Sequence, residues 1–477
     1  MFQKLFKLKE NGTNVRTEII AGLTTFMTMA YIIALNPNLL TNFDTGSALW
    51  NGVFMATCIA SALGMFCMAF LANKPFAMAP GMGLNSFFAV VVGNIVALTG
   101  MSYLASFQAA LVIILVEGVI FIILSLFNIR EKIVESIPLG VRMGISPAIG
   151  LMLMNIGFGS NAGIYAEGNG FTTPFFVMRD FFGALTPGVL KTSMGDAGYT
   201  QMILTVATMF IGLFAIVAMA KKKVKGAVLF GMLIASVVYW GGSFVFLKQN
   251  PFASLATASF VPPFADMMET TFFKFNFEGF VNIGWFTVIT LIITFCIIDM
   301  FDTIGTLVGT ASRAGMVDEK GNIPHLTEAF MADAIGTAAG AMLGTSTVTT
   351  YVESASGVNA GGRSGLTSFT TAICFVLALF LAPLFLAIPA QATAPALVLV
   401  GVMMMTDVSK LHLGDFADAV PAFVCIALMP LTYSISDGIL MGLITYVLLR
   451  IFAGRYRELK LGMIVLAVLF VLKYAFL

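Results

Sequence analysis

The chain has 477 residues, of which 59% are hydrophobic and 10% are charged, and its mean hydropathy is +0.96. An average soluble domain is about 45–50% apolar and about 25% charged, so this composition excludes a soluble globular protein and indicates a polytopic membrane protein. The formal net charge of +1 provides no basic field for nucleic acid. The five cysteines lie in apolar segments without pair-like or ligand-like spacing, so we predict no disulfide, no metal site and no cofactor.

Windows of about 20 mostly apolar residues predict fourteen membrane segments. The first seven are residues 17–40, 50–72, 85–99, 104–128, 139–158, 200–220 and 226–247. The second seven are residues 282–312, 328–345, 351–362, 366–387, 392–406, 417–433 and 435–452. A last apolar run, residues 461–476, is expected to lie at the membrane interface or to insert halfway.

The basic residues predict how these segments are oriented. They cluster before the first segment or after an even number of segments, at Lys4/Lys7/Lys9/Arg16, Arg130/Lys132, Lys221/Lys222/Lys223/Lys225, Arg313 and Arg450/Arg455/Arg457/Lys460. By the positive-inside rule each cluster, and the N-terminus with it, lies in the cytoplasm. We therefore predict a multi-pass protein in the lipid bilayer of the cell membrane, that is, the inner or plasma membrane.

The two halves of the chain resemble each other. The small-residue stretch "ASALGMFCMAF" leads into "APGMGLNS", as "ADAIGTAAGAML" leads into "TVTTYVES". Because seven is odd, a repeated seven-segment unit crosses the membrane in the opposite sense the second time, and such inverted repeats are typical of transporters. Residues 74–88 and 344–365 are rich in Gly, Pro, Ser and Thr and interrupt the two halves at matching places. For each we predict an extended stretch and a half-helix that meet near the membrane midplane, where protein or water must supply hydrogen bonds.

The stretch "IIDMFDTIGT", residues 297–306, places two aspartates in an apolar segment without a neighbouring lysine or arginine. Asp299, Asp302, Thr303 and Thr306 follow i, i+3, i+4, i+7 spacing, which puts them on one face of a helix. Because an acid at the centre of a membrane costs about 2.5–3.5 kcal/mol on insertion scales, we favour a polar stripe that faces a substrate cavity. The alternative is a pair of aspartates that hold the helix bundle together.

Glu353 and Asn85 stand at matching places in the two irregular stretches. Glu353 can accept two adjacent N–H donors of a planar ligand, and Asn85 offers a donor and an acceptor. For both residues the alternative is a cap on the helix that follows. Acids without a cation disfavour an anionic substrate and favour protons, metal cations or neutral molecules rich in N–H donors. Since desolvation raises the pKa of a carboxyl group, one of these acids can carry a coupled proton, with sodium as the alternative.

Other charged residues in the segments are weaker candidates. Glu117, Asp333 and Asp437 are expected to pair between helices, and the role of Arg363 stays open.

Four stretches in order, "AGLTTFMTMAYIIALNP", "APGMGLNSFFA", "DMFDTIGTL" and "TSTVTTYVESASGVNAGGRSGLTS", closely resemble the azaguanine-type purine permeases, a branch of the nucleobase/ascorbate transporter superfamily. The resemblance covers about residues 12–475. It implies an all-α polytopic membrane protein of fourteen segments in two inverted repeats, with extended stretches in segments 3 and 10. It also implies a core domain of residues 17–128 and 282–387 and a gate domain of residues 139–247 and 392–477.

The resemblance further implies import of a purine base, such as adenine, guanine, hypoxanthine or xanthine, by proton symport with an elevator-like motion. The expected purine site consists of Glu353, Asp299, Asp302, Asn85, Gly83, Leu84, Thr25, Phe26, Thr306, Thr350 and Ser354, with Asp302 and Asp299 as proton carriers. Phe26, Phe87 or Phe88 would stack on the base. Uracil-type relatives carry a histidine where this chain has Thr306, which favours the purine branch and argues against a histidine proton relay.

Two rival functions stay open at the level of sequence. An anion carrier of the same architecture would need a cation, or bare helix ends, where this chain has Glu353 and Asp302. An intramembrane metal-dependent enzyme is suggested by "DMFD", but such sites usually need spaced acids on two facing helices, and a protease dyad has its acids on separate helices. The preferred purine, the coupling stoichiometry and association into a homodimer are left open.

Overall fold

The computed structural model describes residues 2–42, 44–127, 139–158, 187–224, 226–252, 259–313, 316, 325–351, 353–411, 414–432, 435–459, 463–464, 467–468 and 471. Over these residues the chain is predominantly helical, which confirms the predicted fold class. Much of the last apolar run, residues 461–476, lies outside the described residues, as do Arg130, Lys132, Lys225 and Lys460 of the basic clusters.

The first half consists of α1 (Phe2–Leu5), α2 (Val15–Met29), α3 (Ile32–Leu40), α4 (Ala48–Cys67), β1 (Met78–Pro80), α5 (Met82–Thr99), α6 (Tyr103–Leu126), α7 (Leu139–Ile156), α8 (Pro187–Lys221) and α9 (Ala227–Gly242). The second half consists of α10 (Phe264–Thr270), α11 (Phe277–Asn282), α12 (Trp285–Arg313), α13 (Leu326–Leu343), β2 (Val348–Thr350), α14 (Ser354–Asn359), α15 (Gly365–Ala378), α16 (Ala382–Leu386), α17 (Ala390–Met404), α18 (Phe416–Thr432) and α19 (Ile435–Phe452).

Several helical stretches are long and apolar enough to cross a membrane. By length and composition, the described residues contain seven of them: Val15–Leu40, Ala48–Ala72, Met82–Thr99, Tyr103–Leu126, Gly195–Lys221, Ala227–Leu247 and Gly365–Leu386. The multi-pass assignment is therefore confirmed, whereas the count of fourteen crossings stays a prediction.

The two predicted extended stretches are confirmed, and they pair with each other. β1 and β2 are antiparallel, with Met78 opposite Thr350, Ala79 opposite Thr349 and Pro80 opposite Val348. Each strand follows a helix of small residues and precedes another helix, so α4, β1 and α5 in the first half correspond to α13, β2 and α14 in the second. The pairing brings the irregular stretches of both halves to one place in the fold.

The helices after the two strands differ in length, although we expected matching half-helices. α14 has only 6 residues, and it is followed by Gly361 with φ +103°. The stretch "AGGRS" supplies two glycines that let the chain turn before α15. α5 continues for 18 residues and ends only before Gly100, where φ is +70°.

Small residues allow α4, α13 and β2 to pack closely. A Cβ added at Gly336 of α13 would lie 3.5 Å from the Cα of Gly64 in α4 and 3.2 Å from Cγ1 of Val348 in β2. Close approach of backbones at small residues is a common way to join helices in membranes. The Val348 side chain therefore packs where the two helices approach each other.

The chain divides into two compact units. Unit 1 contains Met1–Arg130, Lys222–Leu229 and Ser254–Ile388, and unit 2 contains Glu131–Lys221, Phe230–Ala253 and Pro389–Leu477. Both strands and every residue of the expected purine site belong to unit 1.

Candidate functional site

Glu353 lies at the N-terminal end of α14, where a side chain commonly caps the helix. Its carboxylate makes no capping hydrogen bond to α14. Instead, Oε1 accepts a hydrogen bond of 2.7 Å from the hydroxyl of Tyr31. Glu353 is half-buried, and within the described residues no lysine or arginine forms a salt bridge with it. The carboxylate therefore retains acceptor capacity for a further donor.

Asp302 is half-buried on α12, and its carboxylate lies at the beginning of α5. A Cβ added at Gly81, the residue before α5, would lie 3.3 Å from Asp302 Oδ2. The N-terminal end of a helix favours a negative charge. The carboxylate is also close enough to those of Asp333 and Glu353 to interact with them electrostatically. Two carboxylates of the expected site, those of Asp302 and Glu353, are thus brought together.

Thr303 connects α12 with α13 and β2. Its hydroxyl lies 3.2 Å from Asp299 Oδ1, 3.0 Å from Asp333 Oδ1 and 2.7 Å from the hydroxyl of Thr349. All four residues are buried. A hydroxyl has one hydrogen, so Thr303 can donate to only one of the two carboxylates at a time. Asp299 therefore belongs to a buried polar cluster, and Asp333 pairs between helices as expected.

Asn85 is fully buried in the first turn of α5. Its Nδ2 donates to the carbonyl of Pro80 over 3.1 Å, and its Oδ1 accepts a short hydrogen bond from the hydroxyl of Ser346. The hydroxyl of Tyr351 also donates to Pro80 O, over 2.6 Å. The amide thus joins the beginning of α5 to the residues before β2, and the protein already uses both its donor and its acceptor.

The remaining residues of the expected site, apart from Phe26, are all buried: Gly83, Leu84, Thr25, Thr306, Thr350 and Ser354. The hydroxyl of Ser354 accepts a hydrogen bond of 2.9 Å from the backbone N–H of Ala77, which joins α14 to the residues before β1. Side chains alternate along a strand, so Thr350 lies on the opposite face of β2 from Thr349. It is therefore Thr349 that reaches the hydroxyl of Thr303.

The three phenylalanines considered for stacking differ in exposure. Phe87 is buried with its ring centroid 4.5 Å from that of Phe295, and Phe88 is buried edge-to-face against Phe107 at 5.2 Å. Phe26 is half-buried. Among the three, Phe26 alone retains appreciable exposed surface.

Glu18 is a buried acid that the sequence analysis missed. Its carboxylate accepts hydrogen bonds from the backbone N–H of Arg363 at 2.8 Å, from that of Ser364 at 3.2 Å and from the hydroxyl of Thr367 at 2.6 Å. These donors lie at the beginning of α15, where a carboxylate is favoured by the helix dipole. Glu18 therefore connects α2 to α15 and acts as a structural cap.

Two residues outside the expected site have structural partners. The guanidinium of Arg363, whose role was open, donates to the carbonyls of Val358 and Gly362, each over 2.7 Å, and so caps the end of α14. Glu117 on α6 accepts a hydrogen bond of 2.8 Å from the hydroxyl of Thr347, just before β2. The predicted structural role of Glu117 agrees with this contact.

Comparison with known proteins identifies similar sequences along the whole chain. Residues 16–441 match the model of a family described as the Permease family. The chain is 34% identical over 478 residues to the adenine permease AdeP of Escherichia coli K12, a match that covers 100% of this chain and 96% of that protein. It is 36% identical over 470 residues to the guanine/hypoxanthine permease PbuO of Bacillus subtilis 168, with 98% of each chain covered. These relatives are transporters and not enzymes, which excludes the intramembrane enzyme.

Solved structures with the same fold are known at much lower sequence identity. The transmembrane domain of a cyanobacterium bicarbonate transporter, BicA, superposes with a TM-score of 0.60 at 14% identity, covering 91% of this chain and 97% of that one. The structure of SLC26A9 gives a TM-score of 0.61 at 11% identity, covering 94% of this chain and 68% of that one. At such identity the likeness concerns the fold alone. It confirms the predicted inverted-repeat membrane architecture.

Proposed function

This chain belongs to the Permease family, that of the nucleobase/ascorbate transporters, and we propose that it imports purine nucleobases across the cell membrane. The relatives named as adenine and guanine/hypoxanthine permeases support this proposal. The structural observation that carries it is the pair of half-buried carboxylates, Glu353 and Asp302, which have no lysine or arginine in a salt bridge within the described residues. Such a pair suits a neutral ligand that donates several N–H groups.

Purine bases match these acceptors in chemistry. They carry ring and exocyclic N–H donors side by side, which one carboxylate can accept as two parallel hydrogen bonds. In the proposed complex Glu353 accepts this pair of donors. Backbone N–H groups at the beginning of α5, around Gly83 and Leu84, donate to ring nitrogens, since the first N–H groups of a helix have no partner within it. Phe26 is the proposed stacking partner because it retains exposed surface.

An anion carrier is the second function that this architecture could serve. Such a carrier needs a cation or an unoccupied helix N-terminus in its site. Here the beginning of α5 is approached by the Asp302 carboxylate, and Glu353 adds a second negative group nearby. The two acids would repel an anion, so we favour a neutral purine.

We further propose that purine import is coupled to protons. Asp302 is the first candidate for the proton carrier, because it is a half-buried acid within electrostatic range of the Glu353 and Asp333 carboxylates. Asp299 is the second candidate, and sodium is the alternative coupling ion. In this proposal unit 1 is the core domain that carries the substrate in an elevator-like motion and unit 2 is the gate domain. The N-terminus and the basic clusters face the cytoplasm, as the positive-inside rule requires.

Uptake into proteoliposomes tests both parts of the proposal. Radiolabelled adenine, guanine, hypoxanthine and xanthine are offered with an imposed pH gradient, with a sodium gradient or with neither. We expect accumulation of at least one base, driven by the inward proton gradient. An absence of uptake for all four bases would refute purine transport, and accumulation driven only by sodium would refute proton coupling.

Two variants locate the chemistry within the site. A hydrogen bond to a charged group contributes about 1.5–3 kcal/mol, so Glu353→Gln should weaken purine binding roughly 10- to 150-fold. Glu278→Gln, a change of an exposed glutamate on α11, is the matched control and should bind as the parent does. Asp302→Asn should abolish accumulation driven by the pH gradient. If accumulation persists in Asp302→Asn, the proton carrier is another acid, with Asp299 the next to test.

A further inference from the structure

Tyr31 makes the contact that holds the Glu353 carboxylate in place. Its side chain is 1% exposed, and its hydroxyl donates to Glu353 Oε1 over 2.7 Å. No other described side chain donates to this carboxylate. A short bond between a phenol and a carboxylate is among the stronger hydrogen bonds in proteins, because the acceptor is charged.

Two features of the fold bring this hydroxyl to Glu353. The first is the turn at Ala30 and Tyr31, which separates α2 from α3. The second is the close packing of α14 on α2 at Gly357. A Cβ added at Gly357 would lie 2.9 Å from the carbonyl oxygen of Ala21 and would overlap the hydroxyl oxygen of Thr25. The absence of a side chain at Gly357 therefore sets how near the beginning of α14 comes to Tyr31.

The carboxylate of Glu353 stays available as a hydrogen-bond acceptor for a ligand. An acidic side chain just before a helix usually turns back to accept from the first backbone N–H groups of that helix. Glu353 does not do so: its own backbone is helical, with φ −60° and ψ −18°, and its Oε1 accepts from the Tyr31 hydroxyl instead. Apart from Tyr31, no described side chain donates to the carboxylate, so both of its oxygens retain capacity to accept two adjacent N–H donors.

We propose that Tyr31 is the positioning residue of the substrate site, which fixes the Glu353 carboxylate in the orientation that accepts two N–H groups of one purine. This inference rests on the proposed function. Tyr31 itself does not contact the substrate and acts through Glu353. A merely structural tyrosine would contribute to stability and leave substrate recognition unchanged.

Tyr31→Phe is the first test, since it removes only the hydroxyl and retains the ring. Loss of one hydrogen bond to a charged group predicts a rise in the purine Kd and KM of roughly 10- to 100-fold, with little change in kcat. Discrimination between adenine and unsubstituted purine, which lacks the exocyclic amine, should fall in the same variant. Tyr103→Phe is the matched control, because the Tyr103 hydroxyl donates to a backbone carbonyl, that of Leu40, over 2.9 Å.

A double-mutant cycle shows whether Tyr31 acts through Glu353. In the Glu353→Gln background, Tyr31→Phe should change the Kd by less than about threefold, because coupled residues are not additive. Gly357→Ala is a second variant, which should lengthen the same bond by moving α14 away from the Ala21 carbonyl and the Thr25 hydroxyl of α2; Thr25→Val, which changes that hydroxyl alone, is its control. Gly357→Ala should raise the Kd without altering either partner, so it also serves if Tyr31→Phe does not fold.

The outcomes separate the two proposals. If the parent binds purine and the Kd is unchanged in both Tyr31→Phe and Gly357→Ala, the positioning role is overturned. The proposal of purine transport then still stands. A raised Kd that is additive with Glu353→Gln also overturns the positioning role, since Tyr31 would then act independently. If the parent binds none of the purine bases, the proposed function and this inference fall together.

Discussion

Substitution of Glu18 by glutamine is the change that best separates a structural acid from the proposed substrate acids in unit 1. Glu18 is 0% exposed and receives three hydrogen bonds from the beginning of α15. Oε2 takes two of them, from Ser364 N and Thr367 Oγ1, and Oε1 takes the third, from Arg363 N. In glutamine one of the two oxygens becomes an NH2 group, which cannot accept these bonds. An NH2 group in the position of Oε2 would lose two hydrogen bonds, whereas one in the position of Oε1 would lose one. We therefore expect the NH2 group to occupy the position of Oε1.

The expected cost follows from these contacts. The N–H of Arg363 is left without its acceptor, and a buried donor without a partner costs about 1–3 kcal/mol. In the other two hydrogen bonds the acceptor changes from charged to neutral, so the contribution of each to stability falls from about 1.5–3 to about 0.5–1.5 kcal/mol. Because glutamine is neutral, the variant no longer pays the desolvation cost of the buried Glu18 charge, and this offsets part of the loss. We therefore expect Glu18→Gln to lower the free energy of unfolding by about 2–4 kcal/mol.

Thermal unfolding in detergent and purine binding measured on the same samples test this expectation. Glu18→Gln should unfold at a lower temperature than the parent and bind purine with an unchanged Kd. Glu353→Gln should show the opposite pattern, and Glu278→Gln should change neither quantity. An unaltered unfolding temperature in Glu18→Gln, or a weakened Kd without loss of stability, would refute the assignment of Glu18 as a structural cap.

Further predictions concern unit 2 and the Thr303 cluster. Arg450→Met should lower the unfolding temperature, because the buried guanidinium lies 2.6 Å from Asp418 and its loss leaves that carboxylate without its cation. Arg455→Gln removes an exposed ion pair and should change the unfolding temperature little. The Arg455 guanidinium holds the pKa of Asp415 below its ordinary value. Any stability from this pair is therefore present above about pH 4 and is lost as the pH falls through the lowered pKa. The small difference in unfolding temperature between Arg455→Gln and the parent should vanish in acid. Thr303→Val removes the hydroxyl that lies between two carboxylates and leaves buried acceptors without their donor. We expect this change to reduce purine uptake into proteoliposomes at least about tenfold. Full uptake would show that the cluster is dispensable.

The positions of the acids were predictable because each stands out against its immediate neighbours. Asp299 and Asp302 interrupt an apolar run, and helical spacing alone puts them on one face. The extended stretches were predictable for a related reason, since Gly, Pro, Ser and Thr at membrane depth require hydrogen bonds from outside the segment. Antiparallel pairing of β1 with β2 supplies them.

The partners of these groups were not predictable, because nothing local encodes them. The hydroxyl of Tyr31 and the carboxylate of Glu353 are 322 positions apart, and Glu18 is 345 positions from Arg363. Tyr31 looks like any aromatic residue of an apolar segment, and Glu18 looks like the solvated acid at the start of a first helix. The unequal lengths of α5 and α14 were missed because the repeat suggested symmetry, whereas two glycines end α14 early.

Hydrogen-bond partners, more than burial, divide the acids of unit 1 into two groups. Glu18 accepts three hydrogen bonds from one helix terminus, and Glu117 accepts one from Thr347, so the protein itself uses these carboxylates. Glu353 accepts a single hydrogen bond from a side chain, that of Tyr31, and within the described residues no side chain donates to Asp302. A carboxylate at membrane depth without sufficient donors is costly unless a ligand or a proton satisfies it. In the proposed transport cycle, a purine that donates N–H groups to Glu353 and a proton on Asp302 would satisfy these acids in the loaded state, and release would return both carboxylates to water.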